Sequence, residues 1–370
     1  MEQNVTYTSF FALLRAGLWN SEPEADCFPL QPEVWKRVYM LACKQTVEGI
    51  VYDGMMRLPE HYYPPKELLL HWVVKVNSIE ERNKRMNKAV GELSEIFTQN
   101  RITAFLVKGQ GVASYYDEPL HRVCGDIDWF FPDKQHFKKA NRLFEKNGIK
   151  VEKQAKFSKA YTWRGFLIEH HCRLIDIDDP FRIPYLRRLL QQEYAYSTDL
   201  NLNEQPIRLP SPLLMHLTVN AHILKHLLTS GVGIRQLCDS ARICYTYPHV
   251  MDAESFIEVY EKLGIYRWIK LLHHVLVNHL GLQEDYLPFP LTPQQKSKQM
   301  MQDMLQSGNF GMYGGPLSQS ADAPRKQIKA YFHWIERFIR YVRYVRYAPS
   351  EACWNPVIVV YSHFKNWFVV

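Results

Sequence analysis

Apolar residues at the start of the chain recur at intervals of three and four, which is the spacing of an amphipathic helix. Within residues 1–98 the pattern is clearest in EVWKRVYMLACKQTVEGIVYDGMM and ELLLHWVVKVNSIEERNKRMNKAVGELSEIFTQN, where charged residues fill the intervening positions. The same spacing returns in SPLLMHLTVNAHILKHLL, which offers Ser211 as the N-cap and Pro212 as the first helical residue. Residues 1–98 and 208–370 are therefore predicted to be helical regions.

Between these regions, residues 99–207 carry the shorter apolar runs that are typical of strands. ITAFLV and DIDWFF are continuous runs, and KAYTW is separated from FLIEHHC by Arg164-Gly165, which predicts a hairpin turn. A helix is predicted between Asp133, a candidate N-cap, and Gly148. The middle region is thus an α/β or an α+β domain between two helical regions.

Composition and charge indicate the cellular compartment more clearly than they indicate the function. A net charge of +7 favours anionic partners, although many proteins with such a balance bind none. The seven cysteines never have the two-residue spacing of a zinc ribbon or redox pair, so they are typical of buried thiols in a reducing compartment. The N-terminus lacks the basic region of an export signal, and no apolar run approaches the ~18 residues of a membrane-spanning helix. We therefore expect a cytoplasmic protein without a membrane span.

Asp126 and Asp128 interrupt an apolar run that otherwise predicts a buried strand. Residues two apart on a strand project from the same face, so the two carboxylates would lie side by side and repel each other. A divalent cation between them would remove that repulsion, and carboxylate oxygens are suitable ligands for Mg²⁺. The alternative is that both aspartates end the strand and face solvent beside Gly125.

The surrounding sequence supplies the other groups that metal-dependent phosphoryl chemistry uses, namely a third carboxylate and phosphate-binding groups. Glu169 lies in a later apolar run, FLIEHHC, which a hairpin could bring beside the aspartates. Lys108, Gly109 and Gly111 follow a strand and precede a short helix, where backbone amides and a lysine can meet a phosphate. Arg122 is a further candidate, since one guanidinium group can bind two oxygens of a phosphate at once.

These motifs together resemble those of a known family. The stretch LVKGQGVASYYDEPLHRVCGDIDWFF, followed by IEHHCRL, AHILKH and GIRQLCDSAR, resembles a family of uncharacterised bacterial nucleotidyltransferases within the DNA polymerase beta-like nucleotidyltransferase superfamily. The similarity covers roughly residues 20–280, and its specific motifs lie mainly between residues 106 and 171. It implies an α+β fold, with a nucleotidyltransferase-like mixed β-sheet core at 99–207 flanked by the helical regions 1–98 and 208–370.

The resemblance also implies a role for each candidate residue. Metal binding and catalysis with Mg²⁺ or Mn²⁺ fall to Asp126, Asp128 and Glu169, and binding of the nucleoside triphosphate to Lys108, Gly109, Gly111 and Arg122. Glu169 would be either the third metal ligand or the base that activates the acceptor. The sequence departs from the superfamily at the usual Gly-Ser turn, which is Lys-Gly-Gln-Gly here, with Ser114 as the candidate for the replaced hydroxyl.

Two functions from different classes follow. The first is metal-dependent transfer of a nucleoside monophosphate from a nucleoside triphosphate to a hydroxyl group on a small molecule or protein, with the C-terminal helical region closing the cleft and choosing the acceptor. The alternative is a catalytically silent nucleotidyltransferase fold that acts as a nucleotide-binding or partner-binding module. The altered turn favours the alternative, whereas the three acidic residues and the lysine favour the enzyme.

A third interpretation concerns RFIRYVRYVRY near the C-terminus. Arginines at positions 337, 340, 343 and 346 could follow a phosphate backbone while the tyrosines at 341, 344 and 347 stack on bases, which would make the protein bind nucleic acid. The competing interpretation is a solvated helix face with its tyrosines packed inward.

Three histidines are weaker candidates. His222 and His226 have the spacing of two zinc ligands on a helix, but the Glu that a metalloprotease has after the first His is absent, so a structural or substrate-facing role is expected. His171 shares the strand face of Glu169 by alternation, and it is either a neighbour of the metal site or a hydrogen-bonded core histidine.

Overall fold

In the computed structural model, which describes residues 2–155, 157–292, 297–307 and 325–367, contacts divide the chain into two units. The first comprises Met1–Leu174 and Glu193–His216, and the second comprises Ile175–Gln192 and Leu217–Val370. The first unit contains both the N-terminal helices and the sheet, while the predicted three-part division into domains stays a prediction.

The N-terminal part of the first unit consists of four helices. They are α1 (Glu2–Trp19), α2 (Pro32–Lys44), α3 (Glu48–Met55) and α4 (Lys66–Gln99). Trp72 of α4 is fully buried, and its indole N–H donates to the carbonyl oxygen of Glu48 at 2.9 Å. Tyr39 of α2 packs edge-on against the same indole, with 5.1 Å between ring centroids. These contacts fix α2 and α3 against the long helix α4.

A five-stranded mixed sheet follows in the chain. Its strands are β1 (Phe105–Val107), β2 (Ile127–Phe130), β3 (Glu152–Ala155), β4 (Ser158–Trp163) and β5 (Phe166–His171), in the spatial order β1-β2-β5-β4-β3. Strands β2 and β5 are parallel, and the other neighbours are antiparallel. Together with the helices this confirms the α+β fold class.

Two local predictions are confirmed within this unit. Helix α6 (Lys134–Lys146) begins after Asp133, whose carboxylate accepts a hydrogen bond from the backbone N–H of Gln135 at 2.6 Å. Strands β4 and β5 are joined at Arg164 and Gly165, whose φ angles of 51° and 80° are those of a tight hairpin turn. The remaining elements of the unit are α5 (Gly109–Ala113) and a hairpin of β6 (Thr198–Leu202) and β7 (Gln205–Leu209).

One face of the sheet forms an aromatic core. Trp129 of β2 and His170 of β5 pack on Phe97 of α4, with centroid distances of 5.1 and 5.7 Å. His170 is completely buried and makes hydrogen bonds with the Tyr161 hydroxyl at 3.1 Å and with the Asn141 side chain at 3.2 Å. Because side chains alternate along a strand, the neighbours of Trp129 and His170 project from the other face.

The second unit is helical. Its helices are α7 (Ile183–Glu193), α8 (Pro212–Thr229), α9 (Ile234–Thr246), α10 (Ala253–Lys262), α11 (Tyr266–Leu280), α12 (Ser297–Ser307), α13 (Arg325–Tyr344) and α14 (Pro349–Trp367). Helices α7 and α8 each have residues in both units. Helix α8 begins at Pro212 as predicted, and the Ser211 hydroxyl accepts from the backbone N–H of Leu214 at 3.3 Å.

The arginine- and tyrosine-rich helix has its tyrosines inside the unit. Tyr341 and Tyr344 are buried, and their hydroxyls donate to Asn355 and Asp303, each at 2.6 Å. Tyr347 is buried as well. The prediction that these tyrosines stack on bases is therefore wrong. The structure shows the competing interpretation, in which they pack inward. Across the described parts of the chain, no helix combines the length and the apolar character needed to cross a bilayer.

Candidate functional site

The register of the two parallel strands places two of the predicted acidic residues side by side. Asp128 of β2 is paired with Glu169 of β5, and both side chains project from the face opposite the aromatic core. His171, two residues after Glu169, projects from the same face. One carboxylate oxygen from each acid and one ring nitrogen of His171 all lie within 4.8 Å of one another.

His171 joins the two carboxylates. Its Nε2 lies 2.7 Å from Oδ1 of Asp128 and 3.3 Å from Oε2 of Glu169. The Asp128 side chain is only 5% exposed, so its charge is poorly solvated and depends on this contact. Burial by itself would lower the pKa of His171, but the hydrogen bonds that its ring donates to Asp128 and Glu169 raise it to about 9. The ring is therefore an imidazolium at neutral pH, and it neutralises one of the two negative charges.

Asp126 lies just before β2, which begins at Ile127, and its carboxyl group is not one of the three groups in this cluster. It nevertheless shares the electric field of the cluster. The negative charge of Asp128, followed by burial, raises the pKa of Asp126 to about 6, and Glu169 contributes in the same direction. Lys108 acts in the opposite direction. Both aspartates and the lysine thus belong to one electrostatic site.

The turn between β1 and α5 contacts the backbone of Asp126. Lys108 has φ 54° and ψ −148°, a conformation that costs a non-glycine residue about 1–3 kcal/mol. Gly109 follows with φ 35°, and a Cβ on it would lie 3.2 Å from the carbonyl oxygen of Asp126. The strained turn therefore brings the chain at Lys108 and Gly109 against the backbone of the acidic pair.

The remaining two predicted phosphate ligands have local packing partners. A Cβ on Gly111 would meet the Leu209 side chain at 3.2 Å, so this glycine allows α5 to pack on β7. Arg122 is 4% exposed, and its guanidinium donates to the carbonyl oxygen of Val123 at 3.4 Å and to Sγ of Cys124 at 3.2 Å. A triphosphate role for either residue stays a prediction.

The donor set fits a divalent cation. Two carboxylates face each other across neighbouring strands, and an imidazole nitrogen lies within reach of both. Carboxylate oxygens suit Mg²⁺ and Mn²⁺, while imidazole also suits later transition metals. His171 is the residue whose contribution the sequence left open, and its two-residue spacing from Glu169 was the available signal.

The histidines of α8 have a different environment in the second unit. Nδ1 of His222 lies 3.2 Å from Oδ2 of Asp176, and the Lys225 ammonium lies 2.9 Å from the other oxygen of that carboxylate. Nδ1 of His226 lies 3.0 Å from the Ser230 hydroxyl. Within the described ranges these residues are not part of any group of three potential metal ligands. A structural or substrate-facing role for His222 and His226 stays a prediction.

Comparison with known proteins gives a family match and a structural similarity. A family model described as "Uncharacterised nucleotidyltransferase" matches residues 31–281, a range that contains the whole candidate site. Among solved structures, the chain is similar to that of an antigenic nucleotidyltransferase-like protein from Paracoccidioides brasiliensis, with 15% sequence identity and a TM-score of 0.33. The similarity covers 53% of this chain and 92% of that one. No curated protein matches the chain.

Proposed function

The chain belongs to the uncharacterised nucleotidyltransferase family, and from this premise we propose that it is a metal-dependent enzyme that transfers a nucleoside monophosphate from a nucleoside triphosphate to a hydroxyl acceptor. We further propose that the family lies within the DNA polymerase beta-like superfamily. The observation that carries the proposal is the pairing of Asp128 with Glu169 on one face of β2 and β5, beside His171.

In this proposal Asp128 and Glu169 hold a divalent cation, Mg²⁺ or Mn²⁺, with His171 as the nitrogen donor and Asp126 as an additional carboxylate. When bound, the metal supplies the positive charge that offsets the charge developing on the phosphate oxygens. The positive charge of Lys108 acts on the same site, since it lowers the pKa of both Asp126 and His171. It is therefore the group that we assign to the triphosphate.

The reaction is an in-line displacement at the α-phosphorus. An oxygen of the acceptor hydroxyl forms the new bond to phosphorus, and the bond to the bridging oxygen of pyrophosphate breaks. In this proposal Glu169 also receives the hydroxyl proton, a role supported by its greater exposure, 24% of the side chain against 5% for Asp128. The acceptor is a small molecule or a protein side chain.

The alternative, a catalytically silent module that binds a nucleotide or a partner, is favoured by one specific observation. Arg122, the arginine that the resemblance assigns to the triphosphate, is buried and bonded within its own loop. A protein of this kind would bind nucleotides without releasing pyrophosphate.

The experiment that tests the proposal uses nucleoside triphosphates carrying ³²P at the α-phosphorus, with Mg²⁺ or Mn²⁺ and a cell extract as the source of acceptors. We expect the wild-type protein to label an acceptor and release pyrophosphate, and Asp128→Asn to do neither while remaining folded. Asp133→Asn is the matched control, because asparagine is also a good N-cap and Asp133 lies outside the site. Nucleotide binding without pyrophosphate release would support the silent module, and an active Asp128→Asn would refute the assignment.

We place this activity in the cytoplasm as part of the same proposal. All seven cysteines are free thiols, which is consistent with a reducing compartment.

A further inference from the structure

The segment of residues 118–125, here called the pre-β2 loop, delivers the chain to Asp126 and is held by helices α3 and α4. It contains a 3₁₀ turn at Pro119–His121 and otherwise has no regular structure. Several of its backbone carbonyls therefore have partners outside the loop. Two adjacent residues of α4, Arg82 and Asn83, supply hydrogen bonds to four of them.

Asn83 binds the middle of the pre-β2 loop. Its side chain is 2% exposed, and Nδ2 donates to the carbonyl oxygens of Leu120 at 2.7 Å and Arg122 at 2.8 Å. Both amide hydrogens are thus used on two carbonyls of the same loop. An apolar residue at this position would remove the amide donor from one half-buried and one buried carbonyl, and burying an acceptor without its donor costs more than the bond itself is worth.

Arg82 binds the end of the loop that adjoins the site. Its Nη2 donates to the carbonyl oxygen of Gly125 at 2.8 Å, and its Nε donates more weakly to that of Cys124 at 3.5 Å. The guanidinium also lies over the ring of Phe166, the first residue of β5, at 5.2 Å from the centroid. Arg82 therefore connects the peptide group between Gly125 and Asp126 to the strand that carries Glu169.

The side chain of His121 also fixes the middle of the loop. Its Nδ1 lies 2.5 Å from Oδ1 of Asp53 on α3, and its Nε2 lies 2.9 Å from Oε1 of Glu80 on α4. A Cβ on Gly49 of α3 would overlap the carbonyl oxygen of His121, so α3 and the loop are in direct backbone contact. With the middle of the loop held, its remaining freedom lies toward Gly125.

Gly125 is the point at which the loop needs restraint. It carries no side chain, and a Cβ built on it would meet nothing within 4 Å, so packing does not fix this residue. A rotation about its backbone would move the Asp126 carboxyl relative to Asp128 and Lys108. The hydrogen bond from Arg82 opposes that rotation directly, and those from Asn83 oppose it by holding the preceding residues.

We propose that Arg82 and Asn83 are positioning residues, which fix the pre-β2 loop so that Asp126 meets Asp128 and the metal. The inference rests on the proposed function, since it assigns these roles at the same site. It gives the N-terminal helices a part in metal binding, although neither residue contacts the metal. Outer residues that orient metal ligands typically change affinity by about 10- to 100-fold when removed.

The test measures Mn²⁺ affinity by electron paramagnetic resonance of free Mn²⁺, together with thermal unfolding, for the full chain and its variants. Arg82→Ala and Asn83→Leu remove the hydrogen bonds, Arg82→Lys keeps one donor, and Lys88→Ala changes an exposed residue of the same helix. We expect Mn²⁺ affinity to fall about tenfold or more in Arg82→Ala and Asn83→Leu, to recover partly in Arg82→Lys, and to stay unchanged in Lys88→Ala. Recovery in Arg82→Lys separates positioning from loss of stability.

The outcomes separate this inference from the proposed function. If wild-type protein binds no Mn²⁺, or binds it equally well as Asp128→Asn, the metal centre and the positioning role are both wrong. If binding depends on Asp128 but folded Arg82→Ala binds as tightly as wild type, the proposed function stands and the positioning role is overturned. Should Asn83→Leu fail to fold, the Arg82 variants decide the question alone.

Discussion

The imidazolium of His171 must lose its proton before that ring can bind a metal, and this makes metal affinity depend on pH. With a pKa of about 9, only about one molecule in a hundred has a neutral ring at pH 7. The free energy needed to remove the proton at pH 7 is about 3 kcal/mol. We therefore expect Mn²⁺ affinity to rise about tenfold from pH 7 to pH 8, as one proton is released for each metal bound. Below pH 6 the Asp126 proton competes as well, and the dependence becomes steeper.

His171→Gln tests this reasoning, because glutamine offers an oxygen ligand at the same position and carries no proton to expel. The expected result is an affinity that is independent of pH between 7 and 8.5, whereas His249→Gln, a change at an exposed histidine, should behave as wild type. Calorimetric titration with Mn²⁺ in two buffers of different ionisation enthalpy gives the number of protons released. A wild-type protein that released none in this range, or a His171→Gln variant with the same slope, would refute a ligand role for His171.

The same pKa has the opposite consequence for the metal-free protein. A histidine whose pKa is raised on folding stabilises the folded state fully below its unfolded pKa, near 6.5, and this contribution disappears as pH rises through about 9. Metal affinity should thus increase over the pH range in which the metal-free protein loses stability.

Three further predictions follow from neighbouring contacts. Gly109→Ala should lower the free energy of unfolding by about 1 kcal/mol or more in urea, since its φ is positive and its Cβ would press on the Asp126 carbonyl, whereas Gly125→Ala should be nearly neutral. Lys108→Met should raise the pKa of Asp126 above about 6, because it removes a nearby positive charge, and carboxyl NMR titration would show whether it does. His121→Gln should reduce the loss of stability that wild type shows between pH 6.5 and 9 and leave the share due to His171, because two carboxylates raise the pKa of His121 to about 9 against the effect of burial. Equal pH profiles of the variant and wild type in urea would contradict this.

Local signals in the sequence were sufficient for the elements that depend on a few adjacent residues. The N-cap at Asp133, the turn at Arg164-Gly165 and the start of α8 at Pro212 each follow from the conformational preference of one or two residues, and the structure has all three. The pairing of the acidic residues was a hypothesis of another kind. It required β5 to lie beside β2 in one particular register, which no short stretch of sequence encodes.

Burial was the property that the sequence did not reveal. Arg122 has the residue type of a phosphate ligand, yet the structure buries it, because Asn83 holds its carbonyl group and nearby loop atoms accept from its guanidinium. The partners of this loop lie about forty residues earlier in the chain, on α4. Periodicity predicts α4 as an amphipathic helix, but a polar residue such as Asn83 on its buried side has no distinguishing spacing. The contribution of α4 to the site was therefore absent from the sequence-based picture.

The positive charges of the site change the argument that first suggested a metal. In the sequence, the repulsion between adjacent carboxylates favoured a divalent cation, with a solvent-facing strand end as the alternative. In the structure, two positively charged side chains act on these carboxylates: His171 bridges Asp128 and Glu169, and Lys108 lowers the pKa of Asp126. The fold can therefore hold its acidic residues together before any metal binds. A metal then competes with the His171 proton, instead of filling an otherwise unstable cluster, so proton release is the property that distinguishes a metal centre here from a purely structural ion pair.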